Sequence, residues 1–265
     1  MAISTSLIIT TYNRKDALEL VLMSALRQSV LPDEIIVADD GSKEDTQQLV
    51  QKLASESKTP IIHCWQEDHG FRLAAIRNRA IAQARFDYVI MVDGDMILHR
   101  HFVKAHLKNA APQRFLQGSR ILLLEDLTRK ALREKRIDFS FFAAGLKSRF
   151  NGLYAPLLAP LFSYKLTNLA RTRGCNQSFW KKDVFSVNGF NEDFIGWGRE
   201  DTEFMVRMIN SGFYCYKMKL EGFGYHLYHP ESSKMMLPQN QKILDDAITS
   251  RSQRCIHGID KHVPS

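Results

Sequence analysis

Tyr88-Val89-Ile90-Met91-Val92 is an unbroken apolar run that stops at Asp93-Gly94-Asp95. A strand that is apolar at every position, rather than at alternate ones, is buried on both faces, and that requires helices above and below a sheet. The glycine directly after the run marks a turn, so Asp93 and Asp95 are expected to project from the strand's C-terminal edge, where open α/β sheets bind ligands. Two neighbouring carboxylates suit a hard divalent cation carrying phosphates, Mg²⁺ or Mn²⁺. The same tripeptide also occurs as a plain acidic surface turn, and alone it does not separate the two readings.

The rest of the first hundred residues repeats the arrangement. Leu7–Thr10, Glu34–Val37 and Pro60–Trp65 read as further strands. Arg14 to about Ser29 reads as a helix with Ala17, Leu18, Val21, Leu22 and Ala25 on one face and Asn13 as its N-cap. Ser42 and Asp45 have the spacing of a capping box for a second helix, and Leu73–Ala84 reads as a third. Such alternation predicts an α/β fold with a mostly parallel central sheet and right-handed crossovers. It breaks down after Leu127, so the expected organisation is a first half over 1–100, a helical basic and apolar insertion over 101–173, a second half over 174–231, and a tail over 232–265. In the second half, Asp201 to about Ser211 reads as a helix ended by Gly212, and a strand is expected over Tyr214–Leu220.

Composition narrows the class. With 265 residues, 45% apolar and 25% charged, the chain matches an ordinary globular protein with a sizeable core. No run approaches the roughly 18 apolar residues of a membrane span, and the N-terminus lacks the basic start of a signal peptide. Cys64, Cys175, Cys215 and Cys255 form no CxxC pair, which fits reduced thiols in a cytosolic compartment and no zinc site. The net charge of +7 is concentrated: residues 129–173 hold ten Lys/Arg, Arg171 among them, and only two acids, interleaved with large apolar residues. That pattern suits an anionic membrane surface or lipid-linked partner, and equally a solvated basic helix beside core residues. No nucleic-acid motif accompanies it, so nucleic acid is not an expected partner.

Three acidic clusters stand at element ends: Asp39-Asp40, Asp93/Asp95 and Glu200-Asp201. Together with Thr10-Thr11-Tyr12-Asn13-Arg14, the first two resemble the family 2 glycosyltransferases with a Rossmann-like GT-A fold. The resemblance continues through Gly70-Phe71-Arg72-Leu73-Ala74-Ala75-Ile76-Arg77-Asn78-Arg79, which is similar to a helix of bacterial polysaccharide synthases. Further on, Gly174-Cys175-Asn176-Gln177-Ser178-Phe179, Gly189-Phe190-Asn191-Glu192-Asp193-Phe194 and Gly196-Trp197-Gly198-Arg199-Glu200-Asp201-Thr202-Glu203-Phe204 resemble the C-terminal block of β1,4-galactosyltransferases and chondroitin-type polymerases. There the pattern is WGGED; here Arg199 replaces the second glycine. The resemblance spans residues 5–100 and 172–231.

It implies an inverting transferase that uses a UDP-sugar and Mn²⁺ or Mg²⁺ and acts on a saccharide or lipid-linked saccharide, in bacterial surface polysaccharide or lipooligosaccharide synthesis. Thr10, Thr11, Tyr12, Arg14, Asp39, Asp40, Arg77, Asp93 and Gly94 would bind the donor, with Asn78 in support. Asp93, Asp95 and His226 would hold the metal, with His229 as the competitor of His226. Trp197, Gly198 and Asn176 would receive the acceptor sugar. Asp201 would be the general base, with Glu200 binding hydroxyls or exchanging roles with it. Two other classes remain open from the residues alone: a nucleotidyltransferase making a nucleotide sugar, which usually carries an N-terminal Gly-rich loop not found near Thr10, and a non-catalytic carbohydrate-binding domain.

Overall fold

The computed structural model describes residues 3–166, 172–230 and 233–263. Arg171 and the expected boundary at 231/232 lie outside them. Strands β1 (Thr5–Thr11), β2 (Glu34–Asp39), β3 (Ile61–Trp65) and β4 (Tyr88–Asp93) alternate with helices α1 (Lys15–Leu26), α2 (Glu44–Glu56) and α3 (Leu73–Gln83). The four strands pair in parallel in the order β3-β2-β1-β4. Their apolar runs divide by parity between two cores. Ile8, Val89 and Met91 face α3, whereas Leu7, Ile9, Ile90 and Val92 face α1 and α4 (Phe102–Asn109). Burial on both faces is the physical reason these strands lack polar alternation.

The remaining elements are β5 (Met96–Leu98), β6 (Arg114–Gln117), β7 (Ser119–Leu123), α5 (Glu125–Glu134), β8 (Leu146–Lys147), α6 (Ala159–Phe162), β9 (Tyr164–Lys165), β10 (Asn176–Trp180), α7 (Lys181–Ser186), α8 (Glu200–Asn210), β11 (Tyr214–Lys217), β12 (Phe223–His226) and α9 (Leu237–Thr249). The central sheet continues from β4 through β10, β6 and β11 to β9. Here β10 runs antiparallel to both β4 and β6, so the sheet is mixed at this end. A smaller sheet, β5-β12-β7-β8, packs Ile97, Ile121 and Tyr225 against Leu20 of α1 and Ala131 of α5.

Several local expectations are corrected. Residues 101–173 are not a helical insertion: β6 lies within the central sheet and β7 within the smaller one. Asn13 is not an N-cap. Its φ is +48°, α1 begins at Lys15, and the Asn13 Oδ1 instead accepts the Lys43 N–H at 3.1 Å. Ser42 and Asp45 form no capping box, because the Ser42 hydroxyl accepts the Asn13 N–H at 2.8 Å and α2 starts from Lys43 without a side-chain cap. The strand expected to reach Leu220 ends at Lys217. The tail is structured as well: α9 packs Leu244 and Ala247 on Val206 of α8.

His106 of α4 is wholly buried, with its ring nitrogens 2.7 Å from Ser178 Oγ and 3.1 Å from Asn176 Oδ1. Burial pushes its pKa down to about 3, and that of His99 to about 4. Both values lie below the ordinary 6.5, so the unfolded chain takes up these protons first. Their stabilising contribution is complete above about pH 6.5 and is lost as the pH falls towards the folded values, at up to about 1.4 kcal/mol per pH unit for each histidine. The urea midpoint of the wild type should therefore fall between about pH 7 and pH 5, and more steeply than that of His106→Gln. Parallel curves for the two proteins would show that His106 does not carry this dependence.

Candidate active site at the carboxyl edge of the central sheet

Sheet register assembles the first part of the site. Thr10 lies opposite Asp93 and Thr11 opposite Asp39, so three strand ends set their polar residues in one row. Thr10 Oγ1 donates to Asp93 Oδ1 at 3.2 Å. Gly94 is required by close approach, since a β-carbon there would stand 2.4 Å from the Thr10 carbonyl oxygen. Thr11 Oγ1, beside Gly94, is buried with no hydrogen-bond partner.

The turn carries Asp95 to the end of β12. Leu227 N donates to the Asp95 carbonyl at 2.9 Å, and Arg14 Nη1 donates to Asp95 Oδ2 at 3.0 Å. His226 Nε2 stands 3.5 Å from Asp95 Oδ1, and His229 Nε2 stands 3.4 Å from Asp95 Oδ2. One ligand atom from each of the three lies within 4.8 Å of the others. Asp95 Oδ1 is buried without a hydrogen bond, a costly state for a carboxylate oxygen and one that a cation would relieve. Burial holds the His226 imidazole below its usual pKa, although the Asp95 charge acts the other way. One carboxylate with two imidazoles suits Mn²⁺ better than oxygen-seeking Mg²⁺. Asp93 is not in this group, and His229 joins His226 rather than competing with it.

Asp93 turns instead to Arg77. Arg77 lies on the core-facing side of α3 with Ala74, Ile76, Ala80 and Ile81, and is 1% exposed. Its Nη2 donates to Asp93 Oδ1 at 3.2 Å, its Nη1 to Glu200 Oε1 at 3.3 Å, and its guanidinium lies 5.2 Å from the Phe190 ring centroid. A buried cation is tolerable only with such partners. Next to it, the Asn78 amide is spent on the loop at Phe190: Nδ2 donates to Phe190 O (2.7 Å) and Glu192 Oε1 (2.9 Å), and Oδ1 accepts the Phe190 N–H (2.7 Å).

Glu200 and Asp201 occupy the first turn of α8, where the helix dipole favours anions. Asp201 is held by backbone groups from two elements: Gly174 N donates to Oδ2 at 2.6 Å and Thr202 N to Oδ1 at 2.7 Å. Burial, with the adjacent Asp201 charge, pushes the Glu200 pKa up, and Arg77 opposes the shift. The loop before α8 is left-handed at Gly196, Gly198 and Arg199, with Arg199 at φ +77°. Its carbonyls at Ile195 and Gly198 accept from Asn240 of α9 at 3.2 and 3.0 Å. Trp197 in that loop is 41% exposed, available as an apolar plate.

Three sequence expectations meet occupied groups. Both Asp39 oxygens are in use, one accepting the Ser42 N–H at 2.8 Å and the other 2.9 Å from His63 Nε2. Asp40 accepts from Gln66 Nε2 (2.5 Å) and Arg72 N (2.8 Å), and burial raises its pKa. Asn176 is not a sugar contact: it is 1% exposed, and its Nδ2 bridges the carbonyls of Ser119 and Gly222 at 3.0 Å each. Tyr12, in contrast, is 46% exposed, with its hydroxyl donating to Asp68 Oδ2 at 2.9 Å. Asp68 and Asn240 lie outside every motif in the sequence because only tertiary contacts connect them to the site.

Comparison with known proteins identifies the family and the fold. The family description "Glycosyl transferase family 2" matches residues 6–156, and "N-terminal domain of galactosyltransferase" matches residues 158–230. A chondroitin synthase from Escherichia coli is 31% identical over 243 residues, covering 85% of this chain and 35% of that protein. The chain thus spans about a third of the length of that relative. Residues 1–349 of Staphylococcus aureus TarS in complex with UDP superpose with a TM-score of 0.57 at 18% identity, covering 91% of this chain and 64% of that one. A mannosyltransferase, PcManGT from Pyrobaculum calidifontis in complex with GDP-Man and Mn²⁺, gives 0.57 at 16% identity, covering 87% and 59%. These structures share the GT-A fold, and the chain belongs to glycosyl transferase family 2.

Proposed function

We propose that the chain is a metal-dependent, inverting glycosyltransferase that moves a sugar from a UDP-linked donor to a hydroxyl of a saccharide or lipid-linked saccharide, in the synthesis of a bacterial surface polysaccharide or lipooligosaccharide. The observation that carries this reading is the meeting, at one sheet edge, of the Asp95–His226–His229 donor set with the Asp93–Arg77–Glu200 cluster and Asp201. Support for the donor class comes from the UDP held by the TarS fragment and from the GDP-Man and Mn²⁺ held by the mannosyltransferase. No observation favours the nucleotidyltransferase or the non-catalytic reading.

Asp95, His226 and His229 would hold Mn²⁺. Bound there, the ion would supply Lewis-acid charge to the departing diphosphate. Tyr12 presents an exposed ring at the donor end of the edge, where it meets a base or ribose. Arg77 fixes Asp93 and Glu200 relative to each other across the cleft. Asp201, oriented by two backbone N–H groups, takes the proton of the acceptor hydroxyl as that oxygen bonds to the anomeric carbon on the face opposite the breaking bond to phosphate. Glu200 accepts a hydrogen bond from a sugar hydroxyl, and Trp197 stacks on the ring. Positioning both substrates supplies much of the remaining acceleration.

Among the described residues no helix is long and apolar enough to cross a membrane. We place the chain at the inner face of the cytoplasmic membrane, as a peripheral protein docked through residues 139–165. That segment carries Lys147, Arg149 and Lys165 and no acidic residue. It exposes Phe142 (83%), Phe150 (74%), Leu157 (93%) and Leu161 (80%). Exposed large apolar groups beside basic ones match the chemistry of an anionic bilayer surface.

Asp95→Ala should abolish transfer and Mn²⁺-dependent UDP binding while the circular dichroism spectrum stays unchanged, and chelation of wild-type protein should do the same. Near-normal turnover in Asp95→Ala would remove the metal assignment. Asp201→Asn should keep UDP affinity within a few-fold yet lower turnover by roughly 10² or more; if Glu200→Gln shows that pattern and Asp201→Asn does not, Glu200 is the base. Co-sedimentation with anionic vesicles should fall as salt rises, by on the order of 1 kcal/mol per engaged Lys or Arg, and neutral vesicles should bind less. Equal binding to both vesicle types, or to neither, counts against membrane docking.

A further inference from the structure

A group of cations adjoins the carboxylates and has no part in the reaction described above. The buried Cys175 thiol, pushed up to about 11 chiefly by burial, lies within electrostatic reach of Asp93 and Asp95 and equally of Arg120 and Lys217. Arg120 Nη1 is 3.7 Å from Cys175 Sγ, and its charge also reaches His226. Gly174, between Arg173 and Cys175, is the residue whose N–H holds Asp201. Lys217 in turn lies within reach of Lys219 and Arg173; burial and those like charges bring its pKa down to about 8. Arg120, Lys217 and Lys219 make no ion pair among the described residues, and their remaining polar contacts are to neutral groups: Cys175 Sγ, the Gly118 carbonyl and Asn151 Oδ1. Like charges gathered this closely repel one another, and half-burial sharpens the repulsion.

The apolar segment runs directly alongside. Lys217 pairs with Tyr164 across β11 and β9, and Lys219 N donates to Ser163 Oγ at 3.0 Å. Ala155 N donates to the Leu220 carbonyl at 2.9 Å. Residues 149–165 therefore adjoin the cation group, and they expose Phe150, Leu157, Leu161 and Phe162. Carboxylates, cations and a segment with exposed apolar side chains thus adjoin one another in this part of the molecule.

We propose that Arg120, Arg173, Lys217 and Lys219 bind the phosphate or diphosphate of an acceptor whose saccharide is joined through it to an apolar chain, the chain lying along residues 149–165. The inference deepens the glycosyltransferase reading and rests on it. A sugar at Asp201, phosphate oxygens at the cations and a hydrocarbon on the apolar side chains give each part of such a molecule a chemically matched partner, and charge-assisted hydrogen bonds to phosphate relieve the repulsion among the cations.

Calorimetric titration tests this with three probes: farnesyl diphosphate, inorganic pyrophosphate and farnesol. EDTA is present throughout, so that diphosphate does not bind through a metal at Asp95. Farnesyl diphosphate should bind more tightly than pyrophosphate or farnesol. Lys217→Gln/Lys219→Gln should weaken farnesyl diphosphate by about tenfold or more. Phe150→Ser/Leu161→Ser, two changes at exposed positions, should weaken farnesyl diphosphate but not pyrophosphate. In separate titrations with Mn²⁺, UDP should bind wild type and both variants within about twofold of one another, which also reports that the variants are folded. Unchanged affinity of the lysine variant for farnesyl diphosphate, with UDP binding intact, would overturn the proposal. Pyrophosphate binding as tightly as farnesyl diphosphate would overturn its lipid part and assign a soluble phosphorylated acceptor. Failure of UDP to bind wild type with Mn²⁺ would instead count against the donor reading, and the farnesyl diphosphate series would still decide the cation site.

Discussion

Arg77 joins parts of the chain that would otherwise repel one another. Asp93 ends a strand of the first half, and Glu200 opens a helix more than a hundred residues later. Both are acidic, and Asp201 adds a third carboxylate beside them. The guanidinium, 1% exposed, lies between Asp93 and Glu200 with the Phe190 ring against it. Desolvating such a charge is costly, so the pairing contributes little net stability, but removal of Arg77 leaves the buried Glu200 carboxylate uncompensated at about 3–5 kcal/mol. The arrangement therefore fixes geometry more than it adds stability. It also accounts for the two opposing influences on Glu200, whose proton affinity rises with burial and with the Asp201 charge and is held back by Arg77.

Around this pair the supporting groups are already committed to structure. Asn78 makes two hydrogen bonds to the backbone of Phe190 and one to Glu192, which hold the Phe190 ring beside the guanidinium, and Arg207, wholly buried, pairs with Glu203 at 2.7 Å while donating to the carbonyls of Val187 and Gly189. The loop from Val187 to Glu192 is thus tied to α3 on one side and α8 on the other. What stays open is sparse: Asp95 Oδ1 and Thr11 Oγ1 without partners, and the exposed rings of Tyr12 and Trp197. These groups, with His226 and His229 beside Asp95, remain able to meet substrates or a cation, and they come from both halves of the chain.

The legibility of these features in the sequence follows from the range of the forces that set them. Strands β1, β2 and β4 were readable because two-faced burial writes an unbroken apolar run, and Asp93 and Asp95 because a glycine turn follows at once. Strand β6 was not: Arg114-Phe115-Leu116-Gln117 has no distinctive period, and it is a strand only because β10 and β11 flank it. The two-residue strands β8 and β9 carry no pattern at all. Asn13 and Ser42 have the local spacing of caps, yet each is claimed by the other's segment across the start of β1–α1 and β2–α2. Asn176 looked like a sugar contact from its motif. Its partners, the carbonyls of Ser119 and Gly222 and the ring of His106, come from distant segments that no spacing reveals.

The entry to α8 shows how a distant element governs the catalytic edge. Gly196, Gly198 and Arg199 all take left-handed backbone, which turns the chain sharply enough for the helix to begin at Glu200. Glycine adopts that conformation without penalty, whereas Arg199 bears a cost of about 1 kcal/mol. Its Nε is buried without a partner as well, so nothing local offsets the strain. The compensation comes from α9. Asn240, fully buried, donates to the carbonyls of Ile195 and Gly198 and so holds both ends of the turn, while Leu237 and Met236 pack on Gly198 and Gly196. Without that clamp the loop would relax towards ordinary φ values, α8 would start elsewhere, and Asp201 would lose the Gly174 N–H that orients it. Helix α9, outside every motif in the sequence, thus ties down the turn from which Glu200 and Asp201 extend.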